Sequence, residues 1–271
     1  MNIVQADPWR DLKQFTDARL GLGRCGVSIP LKEELAFRYD HACARDAVWT
    51  PVKTADMVSR LQDGLQELGV ELDVLAMHSR AQNRQEYLMR PDYGRRLCFE
   101  ATDELKKRAH DAEAHEFGRP QIALVLCDGL SSRAAEENGV PMMLAFVEAL
   151  HKVGYAVGPV CLVEHGRVAV GDEIAQILGA KLVITMVGER PGLSSPDSLG
   201  IYMTYAPHVG ITDEARNCIS NVRPAGMSMH DAVCKLAYLV EKAFAMENSG
   251  VALKDDMPDG YLPFTKVHIL E

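Results

Sequence analysis

No apolar run in this chain approaches the roughly 18 to 20 residues that a membrane span needs, and Met1 to Arg10 lacks the basic start and apolar segment of a secretory signal. No long block of one charge occurs, and 38 acidic against 29 basic side chains leave a net charge of −9. On balance such a surface repels a phosphate backbone or an anionic membrane, so neither nucleic acid nor membrane is an expected partner. A cytoplasmic protein fits best. Cysteine never occurs as C-x-x-C, and neither H-E-x-x-H nor an EF-hand loop is present, so no metal site is expected. The seven cysteines, Cys25, Cys43, Cys98, Cys127, Cys161, Cys218 and Cys234, are odd in number and scattered. That predicts reduced thiols, at least five of them serving as small buried hydrophobes.

With 271 residues and 47% hydrophobic content, the chain can bury one large core or two modest ones. From Asp7 to about Arg119 the signals are mainly helical. Leu12, Phe15 and Leu20 suggest a first helix ended by Gly21 or Gly23, and Leu35, Tyr39, Ala42 and Val48 form a stripe on a second, from Leu31 to Trp49. Thr54 is placed to cap a third helix carrying Val58, Leu61, Leu65 and Leu68, and Pro91 to start another carrying Leu97, Ala101 and Leu105. The polar, aperiodic stretch from Ala109 to Pro120 marks a boundary, dividing the chain into a mainly helical part, 1–117, and a second part, 118–271.

Beyond the boundary the period changes. Ile122 to Cys127 reads as a strand, followed by a loop and a helix from Pro141 to Val153. Val160 to Val163 and Val168 to Val170 flank Glu164 to Arg167, suggesting a hairpin or a bent strand. A short helix follows at Ile174 to Leu178, then strands at Leu182 to Val187 and Ile201 to Tyr205, and a helix capped by Ser228 with Asp231 at its third position. Alternating strands and helices predict an α/β, Rossmann-like, mostly parallel sheet in this part.

Gly21-Leu22-Gly23-Arg24-Cys25-Gly26 matches the dinucleotide fingerprint literally, but a helical pattern precedes it and Ser28-Ile29-Pro30 follows, so a turn is the better reading. Asp128 to Ser132 leaves a strand and enters a helix; Asp128 and Ser131 either cap that helix or meet a ligand there. A hydrolase using Ser131 or Ser132 would need partners that no G-x-S-x-G spacing supplies. Glu189, at the carboxyl end of a buried strand and followed by a loop with Ser194, Ser195, Asp197 and Ser198, offers acceptors to amide donors on a ligand. Asn217 to Asn221 lies near it in such a sheet. The residues indicate a ligand-binding α/β protein without a visible acid, base or nucleophile, so either a cofactor carries the chemistry or another chain completes the site.

Several blocks, in order, resemble one family. They are Asp40-His41-Ala42, Ala44 to Val48, Tyr87-Leu88, Arg90 to Leu97, Asp128 to Ser131, Gly166-Arg167-Val168, Gly188 to Leu193, Asp197 to Gly200 and Arg216 to Asn221. The chain is similar throughout to the small (light) subunit of adenosylcobalamin-dependent ethanolamine ammonia-lyase. The resemblance implies a carbon–nitrogen lyase subunit, inactive alone, that joins a large barrel subunit in a hexamer of such pairs. The corrin is held between the two chains for the radical conversion of ethanolamine to acetaldehyde and ammonia. It implies adenosylcobalamin contacts at Val168, Glu189 and Cys218, and no catalytic residue on this chain. Asp-x-His-x-x-Gly is missing, so the cofactor's own base is expected to stay on cobalt. Ser28 to Leu31 departs from the family pattern, Asp255 to Glu271 extends beyond its usual end, and a short amino terminus favours cytosol with a bacterial microcompartment as an option. The rival reading is a free-standing Rossmann-like nucleotide-binding or regulatory module.

Overall fold

The structure, a computed structural model, describes residues 3–16, 18–114 and 119–264. The expected boundary at 117/118 lies outside the described residues, as does 265–271 of the carboxyl-terminal extension. Helix α1 spans Leu31–Trp49 and α2 Thr54–Glu67; strand β1, Val74–His78, follows, then α3, Arg84–Met89, and α4, Phe99–Ala114. After these come β2 (Ile122–Cys127), α5 (Ser132–Ala134), a π turn and α6 (Val140–Lys152), β3 (Val157–Glu164) and α7 (Val170–Leu178). The chain then runs through β4 (Leu182–Gly188), β5 (Leu199–Tyr205), β6 (Arg216–Val222) and α8 (Met229–Met246).

The strands form one six-stranded sheet in the order β1-β3-β2-β4-β5-β6. It is mixed, where a mostly parallel sheet was expected. Strands β1, β3, β2 and β4 run parallel, whereas β5 is antiparallel to both β4 and β6. The reason is the connection. A parallel return needs a crossover of a dozen or more residues, normally helical; α6 and α7 supply it after β2 and β3, but Glu189–Ser198 contains no helix, so β5 turns straight back along β4. Strand β1 belongs to this sheet by pairing with β3, so the helical first part of the chain contributes a strand to the second part's sheet.

Alternation in β2 shows how the sheet splits its faces. Ile122, Leu124 and Leu126 enter a core with Leu61 of α2, Phe146 of α6 and Leu236 of α8, while Ala123, Val125 and Cys127 face Leu105 of α4 and Ile174 of α7. With both faces covered, β2 and β4 are buried along their whole length, which is why each reads as a continuous apolar run. Burying one such leucine or isoleucine side chain contributes roughly 1.5 to 3 kcal/mol. Among the described residues no helix is long and apolar enough to cross a membrane.

Other local expectations change for identifiable reasons. The first helix is only a 3-10 turn, Arg10–Gln14, with Leu12, Phe15 and Leu20 exposed. The helix expected from Pro91 begins at Phe99, because Leu97 is bridged to Ser79 and its amide donates to Glu173 at 2.8 Å. No hairpin forms around Glu164: β1 and β2 occupy both edges of β3, and Val170 starts α7. Three cysteines are buried, Cys127, Cys161 and Cys234, fewer than the expected five; Cys25, Cys43 and Cys98 are half-buried and Cys218 is exposed. Ser228 caps α8 as expected, accepting from the Asp231 amide at 3.1 Å.

Candidate functional site

Parallel strands β3, β2 and β4 end side by side, with Cys127 in register with Val163 on one side and Val187 on the other. Their loops therefore gather at one edge, where open α/β sheets place ligands. The loops fit because of a close backbone approach. Gly129, at φ +60°, lies against Gly188: a β-carbon there would stand 2.2 Å from the Gly188 carbonyl, which accepts from the Leu130 amide at 2.8 Å. No other residue fits that conformation and that gap together.

Glu189 ties three strands. Its amide donates to the Ser198 carbonyl at 2.9 Å, and its carboxylate accepts from the Ser198 and Ser220 hydroxyls and from the Asn221 amide at 3.2 Å. A carboxylate offers about four acceptor sites. Three are used within the chain, so Glu189 organises the ends of β4, β5 and β6 and has one acceptor position beyond those three. Ser131 and Ser132 are fully buried, their hydroxyls donating at 2.7 Å to the carbonyls of Pro196 and Thr50 respectively. Neither is a nucleophile. Ser131 caps α5, accepting from the Ala134 amide at 3.1 Å, whereas Asp128 pairs with Arg84.

A hollow of about 440 Å³, open to solvent, lies between these loops; Val168, Glu189, Tyr202 and Ser220 are among its walls. A second, of about 280 Å³, adjoins it and includes Cys218 and Arg95. Arg167, Val168 and Tyr202 line both, so the two make one trough with Val168 at its waist. The structure thus brings Val168, Glu189 and Cys218 to a single concave surface. Cys218 pairs with Tyr202 across β5 and β6, and desolvation pushes its thiol up from the ordinary value, so it stays protonated near neutrality. Solvent reaches the residue, but the sulfur itself sits against Tyr202. A larger hollow, about 950 Å³, lies by α4 and α7 and contains none of the three.

Sequence reading missed Tyr202 as part of this site, and missed α3, which carries Tyr87 on the trough wall and Arg84 behind it. A signal was there. Asn83 accepts from the Glu86 amide at 2.9 Å while the Glu86 carboxylate accepts from the Gln82 amide at 2.7 Å, the reciprocal pattern of a helix start. The Arg167 Nε is buried without a hydrogen-bond partner among the described residues, on a residue that lines the trough. No group of three or more His, Cys, Asp or Glu side chains suited to a metal ion occurs among the described residues. Donors and acceptors are present along the trough.

Comparison with known proteins adds a direct finding. The family model described as "Ethanolamine ammonia-lyase light chain (EutC)" matches residues 6–254. A protein of Azotobacter vinelandii named "Ethanolamine ammonia-lyase small subunit" is 48% identical, covering 92% of this chain and 89% of that protein. Proteins of the same name from Ralstonia nicotianae and Pseudomonas aeruginosa are 47% and 46% identical over 93% and 96% of this chain, and over 90% and 93% of their own lengths. Residues after 254 lie outside the family match.

Proposed function

The chain belongs to the ethanolamine ammonia-lyase light-chain family, and from that premise we propose that its trough is one wall of an adenosylcobalamin site whose other wall is the large subunit. The observation that carries this reading is the trough itself: an open, half-built concavity at a sheet edge with Val168, Glu189 and Cys218 on it and no catalytic set of its own. Adenosylcobalamin, when bound, supplies the radical chemistry that converts ethanolamine to acetaldehyde and ammonia. What this chain contributes is binding and orientation.

The residues present suit such a group. A corrin is fringed with amide side chains, which both donate and accept, so a wall needs both kinds of partner. The unpartnered Arg167 Nε is a donor, and the free site on the Glu189 carboxylate is an acceptor. Val168 and Tyr202 supply apolar surface between them, the mixture typical of cofactor sites.

The first part of the chain supports the partner assignment. Ile3, Trp9, Phe15, Val27, Leu31, Leu35 and Trp49 are all exposed, a concentration of large apolar side chains in the first fifty residues that suits burial against a partner. We assign residues 1–117 chiefly to contact with the large barrel subunit and 118–271 to the cofactor, within a hexamer of such pairs in the cytoplasm or a bacterial microcompartment. The test is reconstitution. Purified chain alone should release no ammonia from ethanolamine; chain plus large subunit plus adenosylcobalamin should, with corrin absorbance retained by the complex. Activity of the isolated chain, or a complex that retains no corrin, would overturn the assignment.

A further inference from the structure

Behind the trough lies a buried knot; its Tyr87 and Arg167 reach the cavity wall, whereas its Asp128, Gly166 and Arg84 do not. Asp128, at the carboxyl end of β2, is buried, and both its oxygens are engaged: Oδ1 accepts from the Gly166 amide at 3.2 Å and Oδ2 from Arg84 Nη1 at 3.2 Å. Arg84 also donates to the carbonyls of Gly129, at 2.7 Å, and Val48, at 2.6 Å. The guanidinium groups of Arg84 and Arg167 both lie over the Tyr87 ring, 4.9 and 4.5 Å from its centroid. The Tyr87 hydroxyl donates to the Gly166 carbonyl at 3.3 Å, and Arg167 Nη2 donates to the Tyr87 carbonyl at 3.0 Å.

Two bonds of this knot meet at one turn. Residue Gly166 is held on both sides, its amide by Asp128 and its carbonyl by Tyr87. The residue before it, His165, is buried in the left-handed region at φ +57°, a conformation that costs free energy and persists only where neighbours impose it. The two residues after it, Arg167 and Val168, are, with Tyr202, the walls shared by both hollows of the trough. The width of the waist is therefore set in part by Asp128 and Gly166, neither of which lines it.

We propose that Asp128 is a positioning residue for the cofactor: by holding the Gly166 amide and the Arg84–Tyr87–Arg167 stack it fixes where Val168 and Arg167 stand. The inference rests on the trough being the corrin wall proposed above. A carboxylate with a merely structural role would change stability when removed and leave cofactor affinity in assembled complexes untouched. A positioning role moves affinity.

The experiment uses the complex with the large subunit and measures cobalamin affinity by titrating corrin absorbance, together with the cofactor KM and kcat. Asp128→Ala should weaken affinity about tenfold, the scale of one buried charged hydrogen bond, with KM moving more than kcat. Asp128→Asn keeps an acceptor for Gly166 and should recover to about threefold below wild type. If Asp128→Ala fails to assemble, Asp128→Asn decides. Wild-type affinity in the assembled variants, whatever their melting temperature, overturns the inference. A wild-type complex that binds no cobalamin instead overturns the reading of the trough, and is seen before any variant is made.

Discussion

Helices α1 and α8 are nearly equal in length, 19 and 18 residues, and both carry apolar side chains at helical spacing, yet they end in opposite surroundings. Helix α8 buries Leu236, Leu239, Val240 and Ala243 against the sheet. Helix α1 buries only Ala47, and leaves Leu31 69%, Leu35 55% and Tyr39 70% exposed. The sheet explains the difference: α2, α6 and α8 cover one face and α4 and α7 the other, so no face remains for α1. An apolar stripe states that a helix will be covered, and only the fold states by what. For α8 the cover is this chain; for α1 we assign the large subunit.

The comparison can be broken most directly at Leu236, which is fully buried. Leu236→Ala should cost about 2 to 5 kcal/mol of unfolding free energy in the isolated chain, measured by denaturant titration, since the cavity is walled by the sheet. A loss under about 1 kcal/mol would mean that α8 is not part of the core. A smaller effect should come from Asp128, whose carboxyl is pushed by burial from 3.8 up to about 7, with Arg84 pulling the other way. As pH rises between those values the unfolded chain releases this proton while the folded chain keeps it, so the group's contribution to stability falls, and above about 7 it levels off. The melting temperature of wild type minus that of Asp128→Asn should therefore decline from pH 5 to 7 and be flat from pH 7.5 to 8.5; a flat difference throughout would remove the raised pKa. The smallest effect is expected on α1. Leu35→Ala should change the stability of the isolated chain by no more than about 0.5 kcal/mol, and weaken association with the large subunit. A large stability loss in the isolated chain would show that α1 has an intramolecular partner.

Much of this was legible in sequence. Leu31–Trp49 and Ile122–Cys127 have the bounds that their patterns suggest, because a stripe at threes and fours and an unbroken apolar run are read from nearest neighbours alone. The reading failed where a distant residue decides. The start of α4 is moved by Ser79 and Glu173, and β3 has no free edge for a hairpin because β1 and β2 flank it. The candidate site shows the same split. Glu189 was conspicuous at a strand end and Asn217 to Asn221 was expected near it, but that the Ser220 hydroxyl, 31 residues away, is the group that donates to it is decided only by the pairing of β5 with β6. Cys218 looked like a core cysteine by residue type and is exposed because β6 is the edge strand.

By itself the sequence determined the bounds of α1 and β2 and which family the chain belongs to; each follows from short patterns and from blocks of residues that need no fold to be recognised. Tertiary structure alone decided three further things. It turned β5 back on β4, because a loop too short for a crossover helix leaves no other path. It joined Val168, Glu189 and Cys218 on one trough, since loops and strands far apart in sequence meet only when the sheet is assembled. And it set Asp128 behind that trough rather than at a helix cap, because Arg84, 44 residues earlier, arrives on α3 to meet it.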